Sequence, residues 1–153
     1  MMFDKKTTVS DNQAFTTGTQ RSTDVIDMWG GATKPGTDSN GNTILRDLGR
    51  SSEVDMFAQV TEAFTGGTNA TVNLISAADG DAAMASPTII ATTGVIAEAS
   101  LTLGKRLRIP LPDSIPGRYL GIQVVTTGTH STGKIFAGLI ASRGKQSDPT
   151  VNY

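Results

Sequence analysis

Apolar and polar residues alternate along RLRIPL (Arg106–Leu111), with Leu107, Ile109 and Leu111 on one side and Arg106 and Arg108 on the other. The same period of two runs through VDMFAQV (Val54–Val60), where Val54, Met56, Ala58 and Val60 share a side, and NATVNLIS (Asn69–Ser76), where Ala70, Val72 and Leu74 do. It returns in YLGIQVV (Tyr119–Val125), with Leu120, Ile122 and Val124 inward, and in KIFAGLIA (Lys134–Ala141), with Ile135, Ala137 and Leu139 inward. Successive side chains of a strand point to opposite faces, so each stretch reads as a strand with one buried side. Strands of this kind close by facing two antiparallel sheets together. In the last stretch Phe136 and Ile140 occupy the opposite side, which implies that both faces of that strand are covered.

Composition agrees. Gly supplies 17 of 153 residues and Thr still more. Thr fits a pleated surface and Gly weakens helix interiors, so this mixture favours strands and turns. The expected fold is all-β: a jelly-roll-like antiparallel β-sandwich of about eight strands, with a small barrel as the alternative closure. The polar residues 1–24, anchored only by Phe15, read as an extended N-terminal arm. Residues 25–142 read as the sandwich, and residues 143–153 as a polar C-terminal tail. The first strand is expected within Ser22–Trp29, followed by a long loop over Gly30–Asn42. TGGTN (Thr65–Asn69) and TGTHSTG (Thr127–Gly133) read as hairpin turns. Within Ala78–Gly104, TIIATT reads as a strand, and the flanking segments leave helical turn, strand and loop open.

The turn GTHSTGK (Gly128–Lys134) is one residue short of a phosphate-binding P-loop. Such a loop needs Ser or Thr after the Lys and a helix whose N-terminus faces the phosphates. Here Ile135 follows, and the next residues alternate as a strand, so a turn is the better reading. His130, the sole histidine, falls in that turn, where an exposed position is expected, and no nucleophile elbow accompanies it. Asp38, Asn40 and Asn42 lack the spacing of a calcium loop, as do Asp79 and Asp81. Glu53, Asp55 and Glu62 lie on or beside one strand, where outward positions explain them, and one tryptophan makes no sugar-stacking platform. No catalytic, cofactor or metal residue is assigned.

The net charge of −1 gives no footprint for nucleic acid or an anionic membrane. No cysteine is present, which leaves the redox compartment open; the N-terminus has no apolar signal region and no run approaches 18 apolar residues, so the chain is expected to be soluble and made in the cytoplasm. The cluster KRLR (Lys105–Arg108), with Arg118, reads either as a solvated face or as a contact patch for an acidic partner. A stable sandwich with polar ends and no active-site motif suits a protein that binds other proteins.

MFDKKTTVSDNQAFT (Met2–Thr16), STDVID (Ser22–Asp27), RDLGR (Arg46–Arg50) and VTEAF (Val60–Phe64) resemble the capsid cement, or decoration, proteins of tailed phages typified by a Bordetella short-tailed phage. PLP…GRYLGIQV (Pro110–Val124) and GKIFAGLI (Gly133–Ile140) are similar in kind. The resemblance implies a non-enzymatic, jelly-roll-like virion protein on the outer capsid surface, made in the host bacterial cytoplasm. Its partners would be the major capsid protein and a second copy of itself, as a homodimer at a symmetry axis. On this reading Phe3, Asp4, Lys5, Lys6 and Phe15 are arm contacts, and Arg106 and Arg108 belong to the partner-binding set. A carbohydrate- or receptor-binding module of a phage particle is the alternative, and the sparse aromatics weigh against it.

Overall fold

The computed structural model describes residues 5–28, 39–40, 54–112 and 115–141. Its strands are β1 (Thr8–Ala14), β2 (Thr19–Arg21), β3 (Ile26–Asp27), β4 (Val54–Thr65), β5 (Asn69–Ala77), β6 (Thr88–Ala97), β7 (Arg106–Ile109), β8 (Tyr119–Thr127) and β9 (Thr132–Ala141). Short 3-10 turns cover Lys5–Thr7 and Glu98–Ser100. One sheet has the order β1-β9-β4-β7; the other has β2-β8-β5-β6, with β3 also pairing β8. All pairings are antiparallel. Because β2 and β3 share one position beside β8, the two sheets form the eight-position jelly roll, an all-β sandwich.

The alternating stretches fill the space between the sheets. Met56, Ala58 and Val60 of β4 meet Ala70, Val72 and Leu74 of β5, Leu120, Ile122 and Val124 of β8, and Ile135, Ala137 and Leu139 of β9 in one core. Leu107 and Ile109 join them while Arg106 and Arg108 stay exposed, as period two requires. A second, smaller cluster lies on the outside of the β2-β8-β5-β6 sheet. There Met84, from the loop after β5, covers Ile75 and packs with Val25 and Tyr119.

The N-terminal segment differs from the expected arm. From Thr8 onward it is built into the sandwich: β1 pairs with β9, and Ser10 Oγ donates to Ile135 O at 2.7 Å. Phe15 is fully buried in the core, which corrects its assignment as a partner contact. An edge strand needs little apolar surface; Val9 and Phe15 suffice to anchor this one, and main-chain bonds to β9 hold the rest. The strand expected within Ser22–Trp29 shrinks to Ile26–Asp27 and is third in order. Phe3, Asp4, Trp29, Asp38, Asn42, Glu53 and residues 143–153 lie outside the described residues.

The two expected hairpins are also corrected. β4 and β5 lie in different sheets, as do β8 and β9, so Thr65–Asn69 and the turn at Gly128 are arches crossing the sandwich. The connections β1→β2 and β6→β7 cross at the same end. TIIATT does form a strand, which continues through Gly94 as β6.

Candidate functional site

His130 sits at the centre of that end with 1% exposure, against the expected exposed position. Its backbone N–H donates to Thr16 O of the β1→β2 crossing at 2.7 Å. Ring Nε2 is 3.2 Å from Asn69 O, at the end of the β4→β5 arch. Nδ1 lies 3.3 Å from Glu98 Oε2 of the β6→β7 crossing, without a directional hydrogen bond. Gly67 N–H donates to that same Oε2, and Phe64 meets the imidazole edge-on at 5.2 Å. His130 therefore touches the other three crossings, one through its backbone and two through its imidazole, and the buried ring has no open side for a substrate. It is a structural hub. The P-loop likeness ends here too: β9 follows Ser131 as a strand, and Lys134 Nζ pairs with Glu62 Oε2 at 2.7 Å.

The other polar clusters are also occupied. Arg118 grips Asp27 with two bonds, Nε–Oδ1 at 3.0 Å and Nη2–Oδ2 at 2.7 Å, and reaches Asp79 Oδ1 with Nη1 at 2.9 Å. Its guanidinium lies 5.0 Å from the Tyr119 ring centroid. The bonds to Asp27, then the one to Asp79, raise the Arg118 pKa further above its ordinary value. Asp81 accepts N–H bonds from Ala85 and Ser86 at 2.7 and 2.9 Å, and the Ser86 bond, then the Ala85 bond, lowers its pKa. Asp79 and Asp81 thus fasten the loop over Met84. No group of three or more metal-type ligands occurs among the described residues. No described helix is long and apolar enough to cross a membrane.

A different surface combines charge with aromatic area. The outside of the β1-β9-β4-β7 sheet carries Phe57 and Phe136, with ring centroids 6.4 Å apart and planes at 60°. Arg106 lies with its guanidinium carbon 5.6 Å from the Phe57 centroid. Arg108 is the β-ladder partner of Phe57, and Gln59 links the registers of Arg106 and Phe136. Gly138 stands opposite both Phe57 and Thr8, and any Cβ there would press on Thr7 O, so the glycine lets the Lys5–Thr7 turn fold against β9. One depression on this face is lined by Lys5, Thr8, Asp11, Asp24 and Phe136; another includes Asp55, Phe57, Arg106, Arg108 and Ile140.

Of the expected partner residues, Lys5, Arg106 and Arg108 thus share one sheet face, and Lys6 is an exposed neighbour of Lys5 in the same turn. Phe57 was not singled out from the sequence, although its phase beside Met56 and Ala58 marks it as outward-facing. Phe136, outward by its phase in the sequence, is half-buried by its neighbours.

The Bbp16 family profile matches residues 9–139. The chain belongs to the Bbp16 family. That family is named after a protein of a Bordetella phage, so this Bbp16 chain is of phage type. The match runs from β1 into β9, covering every described strand at least in part. A search of the curated proteins finds no match for the chain.

Proposed function

We infer that this Bbp16 chain is a non-enzymatic virion structural protein that binds the outside of an icosahedral phage head and cements neighbouring major capsid subunits. It is made in the host bacterial cytoplasm and works on the outer capsid surface, alongside a second copy of itself. The observation that carries this reading is the outer face of the β1-β9-β4-β7 sheet. There an aromatic pair and Arg106 and Arg108 stand together on a rigid two-layer support. Aromatic side chains and Arg are the types that dominate protein–protein contacts. Membership of a phage family supports a particle as the place of action.

On a shell, many copies of modest affinity add their contributions, because each bridge holds subunits that other bridges also hold. The test uses expanded heads stripped of the protein. Purified chain should co-sediment with them to saturation and raise their resistance to heat and chelator. Heads that withstand both equally well without it would overturn the cementing role, and reproducible binding on a glycan array in place of heads would favour the receptor-binding alternative.

A further inference from the structure

Three of the described sheet edges are blunted. β7 has 4 residues and carries Arg106 and Arg108. β2 and β3 have 3 and 2 residues. The outer side of β1 is covered: Gln13 bonds Arg21 O and Thr23 N through its side chain, and Asp24 N donates to Val9 O. Shortness, charge and covering are the usual defences against strand addition.

Among the described residues β6 has none of these. It is 10 residues long, TIIATTGVIA, with no charge and no proline, and among the described strands it pairs only with β5. Ile89 and Val95 are 54% and 73% exposed. Both point to the outside of their sheet, since they pair with Ile75 and Thr71, whereas Ala91 and Ile96 pair with the core residues Leu74 and Ala70.

We propose that β6 is the seam of a two-fold dimer, pairing antiparallel with β6 of a second copy about an axis at Thr92. The pattern of the strand chooses the occupant. In such a pair, residues equally far before and after Thr92 face each other. Ile89 of each copy then meets Val95 of the other, so both exposed apolar side chains gain a cross-strand partner. The register irregularities of β6 also flank Thr92, one at Ile90 and one at Thr93–Gly94, so each meets its counterpart across the axis. No like charges are brought together, and the interface is self-complementary as a two-fold requires. The proposal deepens the cementing role and rests on it for where the dimer works.

Sedimentation equilibrium of the full chain at tens of micromolar tests the seam. The wild type should sediment at twice 15.9 kDa. Val95→Lys should weaken the dimer by about 30-fold or more while the variant keeps the all-β circular dichroism of the wild type. Ile89→Glu added to Val95→Lys should restore it, because the new charges face each other across the axis. The chain has no cysteine, so Thr92→Cys supplies a single thiol that should form an intermolecular disulfide on oxidation. A monomeric wild type, a Val95→Lys dimer of undiminished strength, or failure of Thr92→Cys to cross-link would each overturn the seam. Head binding is scored separately. A monomeric Val95→Lys chain that still binds heads supports the seam together with the head-binding role; a wild-type dimer sensitive to Val95→Lys that ignores heads supports the seam while removing that role.

Discussion

His130 shows how one residue, through its backbone and its ring together, can hold four connections that are distant in sequence. A methyl group at Gly67 would overlap its ring, so the arch is cut to the shape of an imidazole. His130→Ala removes a buried ring and leaves Asn69 O and Glu98 without it, which should cost about 2–4 kcal/mol in denaturant unfolding. Gly67→Ala alone should cost about 1–3 kcal/mol by overpacking. The double variant should be more stable than the sum of the two losses by about 1 kcal/mol, since the methyl then enters vacated space. Strict additivity would show that the two residues do not share that volume. None of this is legible from GTHSTGK, because what buries His130 is a glycine 63 residues earlier in the chain. The local signal, a polar turn rich in Gly and Thr, points the other way. Phe57 is the converse case: its outward phase is visible beside Met56 and Ala58, while its pairing with Phe136 and Arg106 depends on which strands become neighbours.

At the level of elements, the loop after β5 behaves as a cover pinned by Asp81. Its carboxylate is held below the ordinary 3.8 by the Ser86 and Ala85 N–H groups, so its contribution is present above that value and is lost as pH falls through the lowered one. Near neutral pH, Asp81→Ala should expose Met84, now 1% accessible, and speed its oxidation by peroxide about tenfold, read by mass spectrometry. In the wild type the same acceleration should appear only in acid, setting in below 3.8 and becoming complete once pH has fallen through the lowered value. An unchanged oxidation rate in the variant would show that the cover is held by other contacts. Strands were the readable elements: Arg106–Ile109 and Tyr119–Thr127 alternate too regularly to be anything else. Their connections were not. A hairpin and an arch draw on the same Gly, Thr and Asn residues. They differ only in whether the flanking strands bond to each other, and for β4 and β5 the stronger partners are β9 and β8. β1 was missed because an edge strand with so few apolar residues carries almost no periodic signal.

For the whole molecule, the outer face of the β1-β9-β4-β7 sheet should govern attachment to heads without governing stability. Arg106→Glu with Arg108→Glu should weaken head binding by about 2 kcal/mol, or about 30-fold. The melting midpoint should shift little, because both side chains are exposed. Binding of the wild type should also weaken with added salt, which screens both arginines. If the double reversal leaves binding intact, attachment uses another face. β1 and β9 are adjacent and antiparallel, with Thr8 beside Gly138, so the chain enters and leaves the sandwich at the same end, opposite the His130 hub. A passenger domain joined just before Lys5 or just after Ala141 would therefore start from the same pole of the molecule. A short peptide bridge between Lys5 and Ala141 would close the described sandwich into a ring, leaving the four crossings at the far pole untouched.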